Sequence, residues 1–252
     1  MLVGYIRIVP GIKLRQNILP AMKFKYFFLL SLLGIFASCS NEDEVKTNDS
    51  NEIALFLSSS VATETFGLNA LIGTSSDMQN DVIGGRNSVC DYTDAGEYSV
   101  SSEPDANVAY SYGYAYSVEV NCQFQIPTSL DVGFDYSGQF EGPELIWSHQ
   151  GTGDFTITQN DAETIRYDGT YDRGGEFQLK NFDRDGSSEV NITLSDVVVS
   201  PVENRIVSGT GTFTITVVRT ARTYSANGSI TFNGDDTATL EFDGNSITFN
   251  II

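Results

Sequence analysis

The chain is short of the residues on which most enzyme and metal chemistry rests. Its 252 residues include one histidine, three cysteines, one tryptophan and six prolines. A zinc site draws three or four ligands from histidine, cysteine and acidic side chains, so a single histidine leaves little to build one with. Any Ser-His-Asp or Cys-His machinery would have to pass through His149. That residue lies in LIWSHQG at 145–151, beside Trp147 and Ser148. Neighbours in a strand point to opposite faces, so Ser148 and His149 are not poised as a pair, and His149 reads as an ordinary surface or edge histidine. Long apolar runs are missing as well. The longest, YFFLLSLLGIF at 26–36, falls short of the about 20 residues a helix needs to span a bilayer.

That run belongs to a segment with three parts, MKFKYFFLLSLLGIFASCS at 22–40: a cationic start in Lys23 and Lys25, an apolar stretch, and a small-residue processing site. This is the layout of a secretory signal that is removed. Its end, Phe36-Ala37-Ser38-Cys39, resembles the lipobox of bacterial lipoproteins. The resemblance implies a diacylglycerol on the Cys39 sulfur and cleavage just before it; Phe36 stands where leucine is usual, and a large apolar residue suits the same pocket. The alternative is an ordinary signal followed by an incidental cysteine. Met22 opens a complete signal, so residues 1–21 read as a start-site artefact and 22–38 as the signal peptide. Next, Ser40-Asn41-Glu42-Asp43-Glu44 resembles the surface-export signal of Bacteroidota lipoproteins. This implies outer-membrane attachment with display at the cell surface, a periplasm-facing location being the alternative because a solvated linker looks the same. Residues 39–51 read as an acidic flexible tether and 52–252 as a single β-rich domain.

Five of the 14 basic residues (Arg7, Lys13, Arg15, Lys23, Lys25) precede Cys39 and none of the 33 acidic ones does. Beyond it nine bases face 33 acids, a net charge of about −24, which repels phosphate backbones and anionic head groups. Nucleic-acid binding and electrostatic adhesion to membranes are thereby excluded, and attachment falls to the lipid. The remaining cysteines, Cys90 and Cys122, form one disulfide most economically in an oxidising compartment, two free thiols being the rival reading.

From about Val108 the apolar period is two. Tyr110, Tyr112, Tyr114, Tyr116, Val118 and Val120 share one face, with Ser111, Gly113, Ala115, Ser117 and Glu119 on the other. Leu130, Val132, Phe134, Tyr136 and Phe140 repeat the pattern, as do later runs to Ile251. Between runs lie Asp168-Gly169, Gly174-Gly175, Asp185-Gly186, Asn233-Gly234 and Asp243-Gly244, residues that suit tight turns. Glycines inside runs, at Gly113, Gly133, Gly138, Gly211 and Gly228, read as bends or bulges. The expectation is an all-β, antiparallel meander of roughly ten strands. A sheet of that strand number curls into a barrel-like or clam-shaped form in preference to a Greek-key sandwich. An outer-membrane barrel fits poorly with the acidic opposite face and short turns. Between Asn51 and about Val82 the apolar residues look irregularly spaced, and a short helix there, weakened by Gly67 and Gly73, would cap the sheet. The stretch SGTGTFTITVVRTARTYSANGSITFNGDDTATLEFDGNSITFN at 208–250, with YDGTYDRGGEF before it, resembles uncharacterised Bacteroidota lipoproteins, which implies an exported β-rich domain and no known activity.

Candidate sites are few. Asp183, Asp185 and Glu189 offer oxygen ligands for a weak calcium site, but Ser187 stands where a third strong ligand belongs, so the segment reads as a hairpin turn. Paired carboxylates suffice for glycoside hydrolysis, and nothing singles out a pair. The aromatic set Tyr110, Tyr112, Tyr114, Tyr116, Phe134 and Tyr136 reads as a buried core; the other reading makes it the lining of a ligand cavity. No catalytic residue, metal or cofactor is implied. The expected function is that of a lipid-anchored, non-catalytic binding or scaffolding module. A lipocalin-like carrier of a hydrophobic small molecule is the alternative and a carbohydrate-active enzyme the second. Expected partners are the membrane through its lipid, and an envelope protein, a glycan or a hydrophobic small molecule.

Overall fold

The computed structural model describes residues 41–84, 90–181 and 184–252. Cys39, the signal segment and residues 1–21 lie outside them. Two helices come first, α1 (Asn41–Val61) and α2 (Leu68–Gly84), joined through one 3₁₀ turn (Thr63–Thr65). Ten strands follow: β1 (Thr93–Ser101), β2 (Ala109–Gln123), β3 (Ile126–Glu141), β4 (Leu145–Gln159) and β5 (Ile165–Leu179), then β6 (Arg184–Ser200), β7 (Arg205–Arg219), β8 (Arg222–Phe232), β9 (Thr237–Phe242) and β10 (Asn245–Asn250). They form one antiparallel sheet in chain order, each strand hydrogen-bonded to its sequence neighbours. β1 and β10 are edges, so the sheet is not closed into a barrel.

The period-two pattern gives the sheet an inner apolar face, and the two helices cover it. In α1, Ile53, Phe56, Leu57 and Val61 are buried; in α2, Leu68, Leu71, Ile72 and Val82. Both sets follow the i, i+3, i+4 spacing of a helical stripe. These side chains and the strand residues form one core cluster, so helices bury the face that barrel closure would otherwise bury. No described helix is long and apolar enough to cross a membrane.

Helix α1 starts well inside the stretch 39–51 read as a flexible tether. Asp49 and Glu52 are buried rather than solvated. Arg219 pairs with Glu52 at 3.1 Å and with Asp49 at 3.5 Å, Arg184 pairs with Glu52 at 3.0 Å, and Arg222 pairs with Asp49. These two acids thus dock the helix onto the start of β6 and the facing ends of β7 and β8. At its other end the Thr63 N–H donates to the Ile251 carbonyl at 2.9 Å. α1 therefore runs from the end of the sheet that holds the β5–β6, β7–β8 and β9–β10 turns toward the end that holds the β2–β3, β4–β5, β6–β7 and β8–β9 turns. Gly67, between the helices, is required by close approach: a Cβ there would sit 2.4 Å from the Ser60 carbonyl oxygen.

Two sequence-based expectations about glycine are corrected. The register shifts fall at Asn121/Cys122, Tyr167/Gly169 and around Ser195–Val199, and not at Gly113, Gly133, Gly138, Gly211 or Gly228. On the inner face, several glycines instead sit directly across from large rings: Gly138 opposite Tyr112, Gly151 opposite Tyr136, Gly175 opposite His149 and Gly228 opposite Phe213. Their missing side chains are the space the rings occupy, since a Cβ at Gly138 would lie 2.4 Å from the Tyr112 ring. Lastly, of the five turn dipeptides, only Asn233-Gly234 and Asp243-Gly244 form turns, while Gly174-Gly175 and Asp185-Gly186 run within β5 and β6 and Asp168-Gly169 makes the β5 bulge.

Candidate functional site

Among the described residues, one cation is fully buried in the inner face. Arg173, on β5 between Tyr171 and Phe177 in the inward parity, is completely buried and touches no carboxylate. Its Nη1 donates to the Ser59 carbonyl at 2.7 Å; its Nη2 donates to the Thr65 carbonyl at 3.2 Å and to the Tyr112 hydroxyl at 2.9 Å. The guanidinium carbon stands 4.7 Å from the Trp147 ring centre and 5.3 Å from that of Phe140. Carbonyls in the last turn of a helix carry its negative end, and aromatic faces attract cations, so both replace a counter-ion. The Tyr171 hydroxyl lies against this guanidinium without a well-formed hydrogen bond.

His149 sits beside it and is not the surface or edge histidine that the sequence suggested. It is buried among Tyr112, Tyr136, Phe140 and Trp147. Burial, and then the Arg173 charge, push its pKa down to about 2, so the ring is neutral at any physiological pH. Ser148 points to the other face and is exposed, as strand parity requires.

The outer face is different in kind. Strand register aligns Glu97, Ala115, Asp135, Thr152, Asp172, Asn191, Thr214 and Asn227 in one row across β1–β8. The flanking rows pass through Ser99, Ser137, Gln150 and Glu189 on one side and through Ser117, Asp154, Thr193 and Thr212 on the other. None of the three rows contains a lysine, an arginine or an aromatic residue. Because β2 presents Gly113, Ala115 and Ser117 outward, a shallow groove of about 800 Å³ opens over β1–β4, walled by Glu97, Asp135, Gln150 and Thr152. Nothing lies within 4 Å of where a Gly113 Cβ would be. A second groove of about 630 Å³ continues it past Asp94, Glu119, Asp131 and Asp154. Asp131 is held in place, its two oxygens accepting from Thr156 at 2.8 Å and Asn121 at 2.7 Å.

Bases do not neutralise these three rows. Apart from Arg173, every lysine and arginine whose side chain is described is paired with a carboxylate elsewhere: Arg166 with Asp168 and Asp196, Lys180 with Glu141, Arg205 with Glu203, and Arg184, Arg219 and Arg222 with α1.

Of the residues singled out from the sequence, Cys90 and Cys122 are bonded, with an S–S distance of 2.08 Å. Tyr112, Tyr114, Phe134 and Tyr136 are buried and Tyr110 and Tyr116 partly so. Phe66 packs on Tyr110, Tyr112 and Tyr114, so on the inner face these rings meet protein and not an empty cavity. Burial raises the Tyr112, Tyr114 and Tyr136 hydroxyl pKa values far above the ordinary tyrosine range. Asp183 lies outside the described residues; Asp185 and Glu189 are exposed on β6, within a strand and not a tight loop. Among the described residues no group of three or more His, Cys, Asp or Glu side chains can hold a metal. Arg173 escaped the sequence reading, although its parity with Tyr171 and Phe177 placed a charge on an apolar face.

No known protein family matches the chain, and no curated protein and no solved structure shows significant similarity to it.

Proposed function

We propose that this chain is a non-catalytic, lipid-anchored envelope protein, held at the outer membrane through Cys39 and displayed at the cell surface, which binds or scaffolds partners through the outer face of its sheet. The observation that carries the binding reading is the unneutralised row of carboxylates and hydroxyls beside an open groove. Fixed charges of one sign on a concave surface favour a partner of the opposite sign and speed its arrival. The partner that fits is a cationic segment of another envelope protein. A carrier would need room where Phe66 and Arg173 sit against the tyrosines.

The test is a backbone NMR titration of the exported mature protein with a lysine-rich decapeptide at low and physiological salt. Shifts should cluster on the outward residues of β1–β4, weaken with salt, and vanish in the Glu97→Gln, Asp135→Asn double variant. Shifts spread over the whole surface, or unchanged in the double variant, would sink the reading. Anchoring is read separately, as loss of fatty-acid labelling in Cys39→Ala.

A further inference from the structure

The β2–β3 hairpin breaks two rules at once. Its two-residue turn, closed by the Gln123 and Ile126 pair, places Phe124 at φ 52° and Gln125 at φ 66°. Both are left-handed positions, where asparagine and glycine are favoured and a bulky side chain is strained. The same molecule uses Asp243-Gly244, at φ 48° and 78°, for the equivalent turn between β9 and β10. Phe124 is also 90% exposed and Ile126 65% exposed. Local folding therefore gains nothing from this phenylalanine, either in backbone conformation or in burial. Strain and exposed apolar surface kept together on an otherwise well-packed fold point to recognition.

The surroundings narrow what it recognises. The Cys90–Cys122 disulfide braces the base of the hairpin, so the tip is presented on a stiff support. Residues 121–130 contain no charge, while exposed acids flank them: Asp91 before β1, and Asp161 and Glu163 in the β4–β5 turn. The described bases at this end, Arg166 and Arg205, are both paired. An acidic rim repels anionic lipid, and two side chains bury less apolar surface than a single acyl chain, which is itself a marginal anchor. The tip also lies at the opposite end of the sheet from the start of α1, roughly 45 Å of strand away; on the anchoring proposed above, that end faces away from the membrane.

We infer that the β2–β3 tip is a docking knob, with Phe124 and Ile126 entering an apolar cleft on a partner protein whose rim is cationic. It is separate from the outer sheet face, and only its direction relative to the membrane rests on the anchoring proposal.

The experiment replaces Phe124 by p-benzoylphenylalanine in the full chain, expressed in its native cells and irradiated in place. A discrete protein adduct is expected, several-fold weaker in 0.5 M salt, lost when Ile126→Asp is added, and absent when the probe stands at the equally exposed Val202. No adduct, the same adduct at Val202, or an adduct with the mass of a lipid or of a second copy would overturn the inference. A second variant guards against misfolding: Phe124→Asn with Gln125→Gly, probed from position 126, should lose the adduct yet melt about 2–4 °C higher because the turn is relaxed. A lower melting temperature would refute the strain argument, and a persisting adduct would overturn the knob.

Discussion

Replacing Arg173 by methionine keeps roughly the volume and removes the charge. If the guanidinium is what fastens the helices to the sheet, the change leaves the Ser59 and Thr65 carbonyls without their donors in a site that water does not reach. Each orphaned buried acceptor costs about 1–3 kcal/mol, and the lost contact with Trp147 and Phe140 adds about 1–2 kcal/mol. Against this stands the relief of no longer burying a charge, which amounts to several kcal/mol in such sites. The net loss should be about 3 kcal/mol, or a melting temperature lower by about 6–12 °C for a domain of this size. Urea unfolding followed by circular dichroism measures it, and hydrogen exchange locates it, with amides of the last turn of α1 losing protection before those of β3–β6. Since no carboxylate touches Arg173, the loss should be equal at pH 7 and pH 9. An Arg173→Lys variant should fall between, because one ammonium cannot reach both carbonyls while covering the indole. A loss under 1 kcal/mol, or a gain, would refute the reasoning and make the buried charge a burden that the fold merely tolerates.

Other perturbations follow from the same packing. His149 has a depressed pKa, so below its unfolded value near 6.5 the unfolded chain takes up a proton that the folded one refuses until about pH 2. Stability should fall by about 1.4 kcal/mol per pH unit from this residue as pH drops through that window. His149→Phe should flatten that part of the pH profile of unfolding. Replacing Cys90 and Cys122 by alanine releases a loop spanning 32 residues and should cost roughly 3–4 kcal/mol, seen as an equal drop when the native protein is melted with reductant. Gly113→Val should leave the urea midpoint nearly unchanged while filling the groove and weakening cationic-peptide binding. Gly138→Val should abolish cooperative unfolding, because its Cβ would meet the Ser111 carbonyl at 2.2 Å.

The strand content was legible because one face of a half-buried sheet imposes a period of two, and Tyr112, Phe134 and Ile192 obey it without exception. The helices were harder for a reason that the structure makes plain. Positions 53, 56, 57 and 61 do carry a helical stripe, but serines and alanines between them, and glycines at 67 and 73, blur it; Gly73 lies within α2, where its missing side chain makes room for Asn204. Turn chemistry misled in the opposite direction. Gly175 and Gly186 sit beside residues that favour turns, yet each stands across from a ring, His149 or Phe177, a demand that only the register of the neighbouring strand reveals. The acidic groove could not be read as a groove at all, since it depends on which small side chains of β2 line up beside which acids of β3 and β4. His149 was misplaced because a polar ring in an apolar parity can belong to either an edge or a core, and only the neighbouring Arg173 and four aromatic residues decide it.

The bond from Thr63 to Ile251 spans 188 positions of the chain, while nearly all sheet pairing is between neighbours. A chain emerging from its N-terminal end can therefore zip its strands in order, each hairpin closing as it arrives. The helices emerge first and are completed last: the stripe of Phe56, Leu57, Leu71 and Ile72 has no finished surface to cover until the strands it packs on have formed, and the turn after α1 waits for the final residues. During folding this helical stripe is thus the apolar surface left longest without cover, and a holding chaperone would act there.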